Sequence, residues 1–322
     1  MNTSKIYSLV LVGGLAILLG VFIYRGGDDA APAPLPSPDS LPASAPEPAQ
    51  QASSEPAPPA PVPLAAREAV LELTGLSGTG TVTSRRQALA ALPRDLNAQE
   101  LQAIYTGILE QARPDGISLR AWHALYNDTL NALVLHQTKP VADLPDRLMA
   151  TIQDDARHRV IRDYSLQHLL AFAEYRMEGS ARINLLESAW EAVSETRDSY
   201  HGTYLAALSY QADQPGWLSG DAVAAKAWQV AVADDAHVLS RITALQVCGK
   251  LGYADALPLA LEIAGDTRAH MTLRTSAIAT IGDLGSRSQK KFLDELAERS
   301  PPRLLVAIEA ARTRIKAKET QV

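Results

Sequence analysis

A twelve-residue pattern beginning at Arg241 recurs thirty-three residues later, and this repetition constrains the fold more than any other feature of the chain. The first copy reads Arg241-Ile-Thr-Ala244-Leu245-Gln-Val-Cys248-Gly-Lys-Leu251-Gly252. The second reads Arg274-Thr-Ser-Ala277-Ile278-Ala-Thr-Ile281-Gly-Asp-Leu284-Gly285. A looser copy, Leu304-Leu-Val-Ala307-Ile308-Glu-Ala-Ala311, follows. Upstream, Arg162-Asp-Tyr-Ser165-Leu166-Gln-His-Leu169 and Arg85-Arg-Gln-Ala88-Leu89-Ala-Ala-Leu92 carry the same frame. A period of this size marks stacked supersecondary units, none of which buries its apolar face alone.

Each copy reads as a helix. An alanine, an aliphatic residue beside it and another three positions on form one narrow apolar stripe. The alanine admits a close neighbour, and Leu-Gly ends the helix with glycine placed to take the left-handed conformation. Partner helices are predicted between the copies, over Ala254–Ile263 and Gln289–Glu298. From Leu64 onward proline is scarce, no alternating strand pattern occurs, and polar or glycine breaks return every ten to twenty residues. Residues 64–322 are therefore predicted to be all-α, irregular over 64–220 and regular over 221–317. The irregular part includes a longer helix over Leu119–Gln137. Trp122, Trp190, Trp217, Trp228 and seven of the ten tyrosines lie between Tyr105 and Trp228. These aromatics are read as fillers of imperfect packing, with a groove for a partner peptide as the alternative.

The pattern resembles the HEAT repeat family, in particular the short bacterial HEAT-like repeats of phycobilisome lyase-related proteins. The resemblance is clearest over residues 238–315. The usual Asp-x-x-Val-Arg is displaced in one copy, where Asp235 and Val238 precede Arg241, and is adjacent in the next as Leu273-Arg274. The resemblance implies an α-solenoid of helical pairs that serves as a binding surface. It does not imply lyase chemistry.

The first sixty-three residues are of another kind. After a short tail, 1–5, the segment Ile6–Tyr24 runs for nineteen residues without a charge. At 1.5 Å per residue it spans roughly 28 Å, close to the hydrocarbon thickness of a bilayer. Lys5 and Arg25 bound it, and Tyr7 and Tyr24 stand at interfacial positions. The run exceeds a signal-peptide core, and no small-residue cleavage site follows, so 6–24 is expected to be an uncleaved transmembrane anchor. Residues 25–63 form the linker, where twelve of the twenty prolines lie between Ala30 and Pro63. Such a segment cannot propagate a helix or sheet and is too poor in apolar residues for a core, so it reads as a disordered, polyproline-leaning spacer. A recognition motif for a small proline-binding domain is disfavoured because Ala30–Pro63 holds no Lys or Arg. The expected location is a bacterial inner membrane, crossed once, with the repeat domain in the periplasm.

Chemistry is hard to find. The single cysteine, Cys248, excludes an internal disulfide and any Cys-rich zinc module, and it falls on the apolar stripe where Ile281 stands in the next copy. No HExxH, HxH or G-x-S-x-G occurs, and the glycines of Gly75–Gly80 precede no P-loop lysine. Ser84, Ser165 and Ser276 lie in or beside helices. His158, His237 and His270 each stand four residues before a frame arginine, with Asp155, Asp235 and Asp266 just upstream. A row of metal or anion sites is the sharper reading. The plainer one, preferred here, has the acids capping helix starts and the histidines holding a corner between repeats, because packed helices sit about 8–10 Å apart and zinc needs its ligands within about 2.1 Å. Asp154-Asp155 and Asp234-Asp235 read as solvated loop acids.

Thirty basic against thirty-six acidic residues give −6, which argues against nucleic acid as the main partner. Residues 1–63 carry −3 of this, so the helical body is nearly balanced, although Arg287, Lys290, Lys291, Arg299, Arg303, Arg312, Arg314, Lys316 and Lys318 make its end locally basic. No residue is assigned to a catalytic, cofactor or metal site, and no cofactor is expected. The sequence predicts a membrane-anchored scaffold that binds another protein without catalysis of its own. The alternatives are a structural or regulatory subunit of a larger membrane complex, or an enzyme with an atypical pocket within 114–220.

Overall fold

The computed structural model describes residues 64–75, 80–194 and 198–320. The anchor expected over 6–24, the linker over 25–63 and most of the Gly75–Gly80 loop lie outside these residues. Among the described residues there are fourteen α-helices and no strand, so the body is all-α. No helix among them is long and apolar enough to cross a membrane.

In chain order the helices are α1 Leu64–Thr74, α2 Val82–Ala90, α3 Ala98–Ile104, α4 Leu119–Asn131, α5 Leu144–Gln153, α6 Arg159–Arg176 and α7 Gly179–Ser194. They continue as α8 Tyr200–Gln211, α9 Gly220–Val232, α10 Val238–Lys250, α11 Ala256–Gly265, α12 Met271–Leu284, α13 Lys290–Glu298 and α14 Pro302–Glu319. The long helix expected over Leu119–Gln137 is α4 followed by a π-turn, Ala132–His136. A second π-turn, Tyr105–Leu109, extends α3. The partner helices fall within two residues of expectation, as α11 and α13.

Packing follows from the alanine frame. Each even-numbered helix packs on the next even one, without a break from α2 to α14. The odd helices lie against this row, α1 on α2, α5 on α6, α9 on α10, α11 on α12 and α13 on α14. Ala244 and Ala277 are fully buried, as are Leu245, Ile278 and Ile281. Buried hydroxyls stitch neighbouring even helices. Ser276 Oγ donates to Ile242 O at 2.8 Å and Thr280 Oγ1 to Leu245 O at 2.9 Å. Ser165, which replaces alanine in α6, meets the Tyr126 hydroxyl of α4 at 3.0 Å.

The two Leu-Gly endings differ. Gly252 takes the expected left-handed conformation with φ 74°. Gly285 instead has φ −70°, and glycine is required there because a Cβ would stand 2.5 Å from Ile281 O. Of the aromatics, Trp122, Tyr126, Tyr200 and Tyr204 are buried in the core, whereas Trp190, Trp217 and Trp228 are half-buried against it.

Candidate functional site: the turn edge of the helix pairs

An arginine in the first turn of a helix opposes the helix dipole, so its recurrence there needs another cause. In α2, α6, α10 and α12 the fourth residue is Arg85, Arg162, Arg241 or Arg274. Each reaches back to the penultimate residue of the preceding helix, whose last carbonyls have no partner within their own helix. Arg85 Nη1 donates to Leu73 O at 3.3 Å, Arg162 Nε to Ile152 O at 2.8 Å and Arg241 Nε to Ala231 O at 3.2 Å. Arg274 donates to Ala264 O through Nε at 3.2 Å and Nη2 at 3.1 Å. The frame arginine is thus a staple that closes one helix onto the end of the one before it. Sequence reasoning found the arginine but not its role, and the adverse dipole was the available signal. At the same position α4, α8 and α14 carry Trp122, Thr203 and Leu305, which is why the repeat is faint there.

The roles expected for the acids and histidines are exchanged. His158 Nδ1 accepts the Val160 N–H and His237 Nδ1 the Leu239 N–H, each at 3.2 Å, so the histidines themselves cap α6 and α10. His270 occupies the same position on α12, with Nδ1 2.6 Å from Thr272 Oγ1. The acids instead shape the loops or meet the staples. Asp154 accepts the Ala156 N–H and Asp266 the Arg268 N–H. Asp155 lies 2.7 Å from Arg162 Nη1, with Asp198 at 3.6 Å, and Asp234 lies 3.7 Å from Arg241. An imidazole fits the cap because its Nδ1 lone pair stands one atom further along the side chain than a serine Oγ, at the reach of an asparagine Oδ1. Asp155 and Asp234 are drawn towards the staples Arg162 and Arg241, and Asp266 towards Arg268.

The remaining reactive groups do not converge. Among the described residues no three His, Cys, Asp or Glu side chains come together to hold a metal. His123 stacks on His158 with ring centroids 4.6 Å apart, and burial followed by that neighbour lowers its pKa. His168 Nε2 lies 3.0 Å from Asn127 Oδ1, and burial pushes its pKa down to about 4. Burial raises the pKa of Asp163, which accepts hydrogen bonds from Thr203 and Gln167. Ser84, Ser165 and Ser276 spend their hydroxyls on backbone carbonyls. Cys248 is buried on the stripe and its thiol is pushed up to about 12 by burial. Much of the basic C-terminal charge is also committed. Lys290 pairs with Glu319, Arg312 with Asp294 and Glu309, Arg314 with Asp283, and Lys318 donates to Asp283 O and Gly285 O.

Two cavities open on the edge formed by the odd-to-even turns. The first, of about 290 Å³, lies between the α7/α8 and α9/α10 pairs. Trp190, Asp198 and His201 form one wall, and Gln229, Asp235 and His237 the other. His201 meets the Trp190 ring edge-on at 5.5 Å, and burial lowers its pKa. The second, of about 320 Å³, lies one pair further on and is lined by Asp234, Arg241, Glu262, Asp266 and His270 among others. Gln229, Val230, Ala233, Ala236 and His237 in the first recur thirty-three residues later as Glu262, Ile263, Asp266, Ala269 and His270 in the second. The notches are one feature repeated. They could not be read from the sequence, because each draws its walls from two successive loops.

Of the aromatics within 114–220, Trp122, Tyr126, Tyr200 and Tyr204 are buried, and Trp190 lines the first notch together with His201. Comparison with protein-family models, with curated proteins and with solved structures found no match.

Proposed function

We propose that the chain is a membrane-anchored α-solenoid of HEAT-like helical pairs that binds and organises another protein, with no catalysis of its own. The observation that carries this reading is the unbroken series of even helices from α2 to α14, five of them with the preceding odd helix packed closely alongside. A row built this way has an extended flank instead of a central cavity, and extended flanks serve recognition. The uncharged segment Ile6–Tyr24 and the proline-rich stretch up to Pro63 support a tether to the bacterial inner membrane, with the array held on the periplasmic side. Tethering would raise the effective concentration of the scaffold near a membrane-bound partner.

A second reading, a subunit of a larger membrane complex, is favoured by α14. This last described helix leaves Leu305 41% and Val306 76% exposed, an apolar spot that a neighbouring subunit could cover.

The test is a crosslinked pull-down from native membranes with the full-length chain, using the piece Met1–Pro63 as control. A stoichiometric partner held only by the full-length chain is expected. A blank, or capture by the control alone, would refute the scaffold reading.

A further inference from the structure

Resting on that scaffold reading, we propose that the two notches of the turn edge receive a basic, extended segment of the partner protein, one Lys or Arg side chain per notch. The ground is the repetition of the notches one helix pair apart together with their charge, the acid coming from a different frame position in each, since Asp235 corresponds to Arg268 and Glu262 to Gln229. Each notch holds one uncommitted carboxylate. Asp198 in the first already lies near Arg162, and in the second Asp234 faces Arg241 while Asp266 faces Arg268. Asp235 and Glu262 remain, both exposed, and neither has an ion-pair partner among the described residues. Among the described residues no lysine lines either notch, and the one lining arginine, Arg241, is bound to Ala231 O.

The walls suit the stem of such a side chain as well as its head. Trp190 and Val230 line the first notch with Asp235, and Leu259 and Ile263 the second with Glu262. A long cationic side chain lays its methylenes along apolar surface while its charge reaches an acid. In the first notch the indole adds an aromatic surface for a cation, and its present neighbour, Lys226, is already paired with Glu187 at 2.7 Å.

Spacing sets the form of the occupant. The notches are separated by one helix pair, and packed helices sit about 8–10 Å apart. A polyproline II strand repeats every three residues with a rise of about 3.1 Å per residue, which brings residues i and i+3 onto one face roughly 9 Å apart. A β-strand places i and i+3 on opposite faces. A polyproline-like segment with basic residues three apart therefore matches the separation of the notches, and the long stems of its two cations span the offset between Asp235, in the loop before α10, and Glu262, on α11.

Fluorescence anisotropy with the full-length chain in nonionic detergent tests this directly. The probe is a labelled Arg-Pro-Pro-Arg peptide, compared with Arg-Pro-Arg-Pro and Glu-Pro-Pro-Glu. The first should bind most tightly, and raised salt should weaken it. The double variant Asp235→Asn with Glu262→Gln should lose about tenfold in affinity, as two solvent-facing ion pairs would supply. The variant Asp115→Asn with Asp221→Asn removes the same charge from exposed sites elsewhere and should bind within about twofold of the unmodified chain. Equal losses in both double variants would show non-specific attraction and overturn the proposal. Indifference to the arginine spacing, or no binding of the Arg-Pro-Pro-Arg probe, would do the same. If a partner is captured from membranes while the peptide arms fail, the edge is refuted and the scaffold stands; a blank pull-down refutes the scaffold itself.

Discussion

His168 should make the helical body lose stability in mild acid. Its imidazole is buried between α6 and α4 with Nε2 3.0 Å from Asn127 Oδ1, and its pKa falls from 6.5 to about 4 because burial disfavours the charged form. In the unfolded chain the same ring takes a proton near 6.5. Between the two values the unfolded state therefore binds more protons, and stability falls as pH is lowered. The contribution is complete above about pH 7, is lost progressively below 6.5, and levels off below about 4. At pH 4.5 the loss traceable to this one ring amounts to about 2.5 kcal/mol, at 1.36 kcal/mol per pKa unit. Urea-unfolding curves of the full-length chain in nonionic detergent, followed by far-UV circular dichroism at pH 7.5 and 4.5, give the measurement. His168→Gln keeps a polar side chain that does not titrate. The unmodified chain should lose about 2.5 kcal/mol more than the variant between the two pH values. Asp163, whose raised pKa works in the opposite direction, and the lowered His123 and His201 titrate in both chains and cancel in the difference. Parallel pH dependences in the two chains would refute the reasoning.

Two further outcomes follow from the packing. Arg274→Met should cost about 1.5–3 kcal/mol in urea unfolding, since it strips the Ala264 carbonyl of two charged hydrogen bonds. Arg268→Met, whose side chain is 92% exposed, should stay within about 0.5 kcal/mol; equal effects would remove the staple from the account. Ala244→Asp and Ala277→Asp each place an unpaired carboxylate at a fully buried position and should lower stability by several kcal/mol. An unchanged melting temperature in either would show that the alanine stripe does not face a neighbouring helix.

The helical nature of the body was legible because its signal is local. Ala244 and Ala277, each with an aliphatic residue beside it and again three or four positions on, mark a buried stripe whatever lies opposite. The partner helices α11 and α13 were legible for the same reason, to within two residues. The earlier pairs were fainter because Trp122 in α4 and Thr203 in α8 replace the staple. There a pair closes by another contact, the bond from the Tyr204 hydroxyl of α8 to Leu186 O of α7 at 2.8 Å. The cap assignment failed on a competition that no single segment reveals. Of the acids expected to cap, Asp155 is claimed by Arg162 and Asp266 by Arg268, Asp235 pairs with neither, and His158 and His237 take the cap position themselves. The notches lay further from view, since the Trp190 wall and the His237 wall are separated by nearly fifty residues of chain.

The unequal density of the two rows of helices has a mechanical consequence. From α6 to α14 each even helix touches its successor closely, while over the same stretch successive odd helices touch sparsely. A strip bonded tightly along one side and loosely along the other resists stretching but yields to bending, and its neutral axis runs through the tight side. Small rotations between pairs would leave the spacing of α10, α12 and α14 almost unchanged and open or close the gaps among α7, α9 and α11. Whatever sits in those gaps would set the curvature of the strip, much as a shim sets the bow of a leaf spring.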